Sequence, residues 1–156
     1  IIRDRLTSNG RIGDEQLKWL DNELANSKKD TVLIFMHVPV IEPYNSPNHR
    51  LTDADKMEEI LSKYKNPIGV FQGHYHGAKI TQKDNILYVS CPALVSYPNA
   101  FRMVTVSNYR NKVVFNIENK ETRLTNIQKL AKILVFGTTV YTGEEKDQNA
   151  IITIKK

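Results

Sequence analysis

Cysteine is almost absent. Cys91 stands alone in 156 residues, which excludes a disulfide within the chain and leaves the redox compartment, and so the localisation, unread. No apolar run approaches the roughly 20 residues a membrane-spanning helix needs, so no membrane span is expected. An arginine-rich stripe is also missing. The lysines are scattered, and the net charge of +5 suits an anionic partner such as a phosphate ester better than nucleic acid. The first ten residues, IIRDRLTSNG, lack an initiator methionine, a basic n-region and an apolar h-region. They read neither as a natural start nor as a signal peptide. No repeat, low-complexity tract or linker interrupts the chain.

What is present is an average globular balance of 40% hydrophobic and 25% charged residues, which at this length fits one domain. Leu17, Leu20 and Leu24 recur at spacings of three and four, predicting an amphipathic helix over about 14–27 with Asp14 as its cap. TVLIFMHVPV follows as a continuous β-branched and aromatic run, expected to be a strand buried on both faces that stops at Pro39, just after His37. EPYNSPNHRL reads as a long loop. Met57, Ile60, Leu61 and Tyr64 then mark a second helix, with Thr52 or Asp53 as cap, and NPIGVFQGH another buried strand. This alternation predicts parallel pairing in an α/β sheet. AKITQ, ILYVSC, FRMVTVSN and KVVFNIE predict hairpins and an antiparallel portion. Beyond about residue 119, Leu124, Ile127, Leu130 and Leu134 fit a helix while KILVFG fits a strand, and AIITIKK fits a last strand.

The chemistry concentrates in four histidines. His37 ends the first strand, and His74 and His76 follow the second, so all three are expected at the carboxyl edge of the sheet, where open α/β folds bind ligands. Neutral imidazole is the commonest metal ligand. If residues 74–76 are extended, the two side chains point the same way from Cα atoms about 6.5–7 Å apart. That width suits one ligand to each of two ions about 3.5–4 Å apart. Gly73 and Gly77 would let the chain turn sharply on either side. The competing reading is an ordinary polar turn, with His37 a satisfied buried histidine.

The order MHVPV, helix, GVFQGHYHG resembles the last two metal motifs of the calcineurin-like metallophosphoesterases, and GRIGDEQLKWLDNEL is similar to the helix that family places before this strand. The resemblance covers about residues 10–110. It implies an α/β fold, the C-terminal portion of a four-layer sandwich with two mixed sheets. It further implies a site for two divalent or trivalent metal ions (Mn, Zn, Fe or similar), with His37 and His74 on one and His76 on the other. The implied activity is phosphoester hydrolysis, as phosphatase or phosphodiesterase, with a bridging water turned into a hydroxide nucleophile. The family's D-x-H, G-D-x-x-D and G-N-H-D/E motifs do not occur. GDEQL has Leu17 where the second aspartate belongs.

The chain is therefore expected to be the C-terminal part of a longer enzyme, with residues 1–118 belonging to the phosphoesterase domain and 119–156 an extension. Its expected partners are a phosphoester substrate and the missing N-terminal part of the same domain. By itself it is expected to be inactive or nearly so, because three neutral histidines cannot balance two ions without carboxylates. PYNSPNHR also resembles the loop that plant purple acid phosphatases carry after the strand-end histidine, which implies that His49 lies beside the substrate phosphate. Arg50 is a further candidate for steadying that phosphate, and Tyr44 and Tyr97 for lining the pocket. A cyclic-nucleotide phosphodiesterase and a non-catalytic binding domain that retains the fold are the rival readings. Cys91 reads as a small buried thiol.

Overall fold

A computed structural model describes residues 7–156; Ile1–Leu6, which open the stretch lacking signal-peptide character, lie outside the described residues. Helix α1 (Asp14–Asn26) precedes strand β1 (Val32–Phe35), helix α2 (Ala54–Ser62) and strand β2 (Ile68–Gln72). Strands β3 (Lys79–Lys83) and β4 (Ile86–Ser90) form a hairpin, and β5 (Ala100–Asn108) and β6 (Lys112–Glu121) form another. Helix α3 (Thr125–Leu134) and β7 (Asn149–Lys155) follow. The ambiguous 119–134 stretch thus divides: its first residues extend β6 to Glu121, a short turn follows, and residues 125–134 are helix.

The first sheet has the order β1-β2-β4-β3, with β1, β2 and β4 parallel and β3 antiparallel. One face packs under α1 and α2, where Leu17, Leu20, Leu24, Met57 and Leu61 meet Ile68, Val70, Ile86 and Tyr88. The opposite face carries Phe71, Leu87 and Val89 against Val113, Phe115, Ile117 and Ile154 of the second sheet. The period of two in the central strands therefore serves two cores, which is why β2 and β4 are buried along their whole length. The mixed α/β architecture is as expected, and the described residues supply three layers of it. The second sheet, β5-β6-β7, is antiparallel throughout rather than mixed. The boundary expected between residues 118 and 119 falls inside β6, to which β7 returns along its full length.

Two expectations fail for physical reasons. Strand β1 is not buried on both faces: Leu33 is 40% and Phe35 75% exposed, while Val32 and Ile34 turn inward. It is the edge of its sheet, and the buried core between the sheets takes up Phe71, Leu87 and Val89 of β2 and β4 but no residue of β1. Asp14 is not a cap either. Gly13 holds the cap position of α1, and Asp14, one residue inside, pairs with Lys56 at 2.8 Å. Asp53 occupies the expected cap position of α2 but makes no side-chain cap bond there. Its buried carboxylate accepts the N–H groups of Ile12 (3.0 Å) and Gly13 (2.9 Å), fixing the entry to α1 against the start of α2.

Candidate metal centre

Parallel pairing of β1 with β2 brings their carboxyl ends to one edge, and the ladder continues past both strands. Met36 N–H donates to Phe71 O (3.0 Å) and Gly73 N–H to His37 O (2.9 Å). This register sets His37 beside His74. Their rings cross at 72° with centroids 4.9 Å apart, and His37 Nε2 lies 3.1 Å from His74 Nδ1. At that separation one nitrogen donates to the other, or both lone pairs face one cation. An ion about 2.0–2.1 Å from each nitrogen would see them at an angle of roughly 98°, within ordinary coordination geometry. His74 Nε2 is buried and makes no well-formed hydrogen bond, although the Ser8 backbone lies close enough to the ring to favour its charged form slightly. Burial first, then the neighbouring His37, pushes the His74 imidazole below its ordinary pKa and favours the neutral form that can bind a metal.

The extended H-x-H geometry is not adopted. His74 has φ 68° and His76 φ 55°, both left-handed, whereas Gly73 and Gly77 keep ordinary φ values. The sharp turning expected of the glycines falls on the histidines, at a cost of about 1–3 kcal/mol for each such residue. Tyr75, only 3% exposed, sits between them, and its N–H closes a tight turn to Gly73 O at 2.7 Å. His74 meets His37, and His76 Nδ1 lies 2.8 Å from Ser96 Oγ. Gly77 is closely packed instead: a Cβ there would lie 3.0 Å from the Tyr44 ring, which would have to give by a few tenths of an ångström.

His49 does reach the cluster. Its ring centroid is 5.5 Å from that of His74 and 6.0 Å from that of Tyr75, and its Nδ1 lies 2.7 Å from Ser46 Oγ. Arg50 is already engaged, donating to Asn45 Oδ1 (2.7 Å) and pairing with Glu42 (3.1 Å). Tyr44 packs between Tyr75 and Tyr141 and donates its hydroxyl to Tyr75 O, so it buttresses the histidine loop. Tyr97 borders a cavity with Gln128 and Lys132 near α3. Cys91 is partly buried, with its thiol pushed up by burial. Among the described residues no three His, Cys, Asp or Glu side chains converge tightly enough to hold an ion by themselves.

One contributor escaped the sequence reading. Gln72, 3% exposed at the end of an otherwise apolar strand, accepts Val40 N–H (3.0 Å) and donates to Ile41 O (2.6 Å) and Ser90 Oγ (2.9 Å). It pins the chain after His37 to the chain before His74. A lone amide closing a buried apolar run was the available signal.

Helices over a mixed sheet over a second sheet, with histidines at the strand ends, support a metallophosphoesterase fold together with likenesses to known proteins. A dimetal phosphatase from Danio rerio superposes with a TM-score of 0.55 and 21% identity, over 66% of this chain and 34% of that one. Among curated relatives, a manganese-dependent ADP-ribose/CDP-alcohol diphosphatase of Arabidopsis thaliana is 28% identical over 117 residues, 72% of this chain and 38% of its own length. A probable cyclic nucleotide phosphodiesterase of Fibrobacter succinogenes is 28% identical over 87 residues, 54% of this chain and 34% of its own. The chain spans about a third of the length of the curated relatives it matches. No protein-family model matches it.

Proposed function

We propose that this chain contributes the histidine wall of a metal-dependent phosphoester hydrolase. The observation that carries the reading is the pair of imidazole nitrogens, His37 Nε2 and His74 Nδ1, 3.1 Å apart. In this reading they share one divalent ion, and His76 serves a second through its free Nε2. Carboxylates from elsewhere in the complete domain would balance the charge, so the chain alone turns over little or no substrate. Divalent ions bound there would supply Lewis-acid polarisation of the phosphoryl oxygens and an activated water for in-line attack.

The remaining groups take roles their positions allow. His49, held at Nδ1 by Ser46, keeps Nε2 for a phosphate oxygen or for passing a proton to the leaving oxygen. Gln72 and the Tyr44–Tyr75 contact hold the two histidine loops in register, which is the positioning such chemistry depends on. The names of the relatives favour phosphodiester or diphosphate linkages of nucleotides over simple monoesters, and the manganese-dependent relatives favour Mn²⁺. The cyclic-nucleotide phosphodiesterase reading is therefore the nearest alternative within the class.

Titration with Zn²⁺ or Mn²⁺ tests the proposal. In the complete domain, with its carboxylates present, wild type should bind an ion with perturbation of the His37 and His74 ring resonances, and His37→Ala should lose that binding at least tenfold. Equal binding by both, or none by wild type, would sink the metal reading.

A further inference from the structure

His76 differs from the other histidines of the cluster: its ring is fixed by the loop between β4 and β5. Ser96 Oγ lies 2.8 Å from His76 Nδ1 and has no other side-chain partner among the described residues. The loop that carries it is heavily braced. Asn99 N–H donates to Ser96 O (2.6 Å) and Ala100 N–H to Ala93 O (3.1 Å). Asn99, 3% exposed, also donates its side-chain amide to Leu94 O at 2.9 Å. The second sheet and α3 add outer supports, with Thr122 N–H donating to Asn99 O (2.9 Å) and Gln128 Nε2 to Pro98 O (3.3 Å). A serine held this firmly against a histidine in a left-handed backbone conformation is an orienting contact.

We propose that Ser96 is the positioning residue for His76. Its hydroxyl oxygen accepts the Nδ1 proton, which fixes the tautomer and aims an unprotonated Nε2 into the site. An imidazole has one N–H in its neutral form, so occupying Nδ1 with the proton leaves Nε2 as the lone-pair donor. Partners of this kind set ring orientation and raise ligand basicity wherever histidine binds metal. The use made of Nε2 rests on the proposed metal centre, whereas the Ser96–His76 contact can be tested without any ion. The inference also gives residues 119–128 a task, because they brace the Ser96 loop from outside.

The experiment is ¹⁵N NMR of histidine-labelled, metal-free full chain at a pH above the histidine titrations. His76 should show one tautomer, protonated at Nδ1. Ser96→Ala should replace it with an exchanging mixture, while Ser96→Thr, which keeps the hydroxyl, should restore the single form. A wild-type His76 protonated at Nε2, or a Ser96→Ala spectrum unchanged at His76, overturns the proposal. Unperturbed resonances of the buried Leu24 and Phe115 in the variant establish that the fold is retained. The Zn²⁺ titration of His37 and His74 reads a different pair of rings, so failure of the metal centre and failure of the Ser96 contact are separable.

Discussion

Two amphipathic helices in this chain meet opposite fates. In α1 the apolar stripe is spent, with Leu17, Leu20 and Leu24 at 4%, 8% and 0% exposure beneath α2 and the first sheet. In α3 the stripe is at least as regular, yet Ile127, Leu130, Ile133 and Leu134 are all more than half exposed, and no residue of the helix is buried. Gln128, on the polar side, hydrogen-bonds to the body at Pro98 and Glu121. Amphipathicity thus states what a helix needs, and only the neighbouring elements decide whether it is met. The same division runs through the first sheet, whose β2 is covered on both faces while its edge strand β1 leaves Phe35 open.

The largest effect that sharpens this comparison belongs to α1. Leu24→Ala should cost about 2–5 kcal/mol, the range for an aliphatic side chain removed from a closed core, measured by urea denaturation. A loss below 1 kcal/mol would mean the α1 packing is far looser than its burial implies. Next comes the tie between the two packed helices. Asp53→Ala should cost about 1–3 kcal/mol, because the Ile12 and Gly13 N–H groups lose a charged acceptor. Asp53→Asn should recover part of it, and faster amide exchange at those two positions would report the loss directly.

A smaller effect concerns protons. With its pKa lowered in the folded chain, mainly by burial, His74 binds fewer protons folded than unfolded as the pH drops below about 6.5. Stability should therefore fall on acidification through the ordinary histidine range and level off once the pH is below the folded value. His74→Gln should flatten that part of the curve. A wild-type slope of the opposite sign would show that the ring gains a stabilising charge partner instead.

Much of the histidine cluster was legible because it is local. The G-H-x-H spacing, the strand end at His37 and the serine-containing loop before His49 are features of short segments, and parallel pairing alone suffices to bring His37 to His74. What sequence could not supply was distant or conformational. The grip of Asp53 on residues 40 positions away has no periodic signature, and Asp53 reads locally as an ordinary helix cap. The left-handed turns at His74 and His76 defeat the geometry drawn from an extended H-x-H, since glycines flank both and are the expected place for such angles. Ser96 is one serine among several until the β4–β5 loop folds back onto His76.

The smallest expected effect is the one that bears most on α3. Leu130 is 59% exposed, so Leu130→Ser should change stability by no more than about 0.5 kcal/mol, the usual range for surface substitutions. Serine's lower helix propensity accounts for a few tenths of that. Denaturation of both variants at two protein concentrations makes the comparison with α1 decisive. A loss approaching that of Leu24→Ala would mean the stripe is covered in solution, and dependence of that loss on concentration would identify the cover as a second copy of the chain. A loss that small at both concentrations leaves α3 as an apolar face with no partner of its own, held to the body through Gln128 and the turn that follows β6.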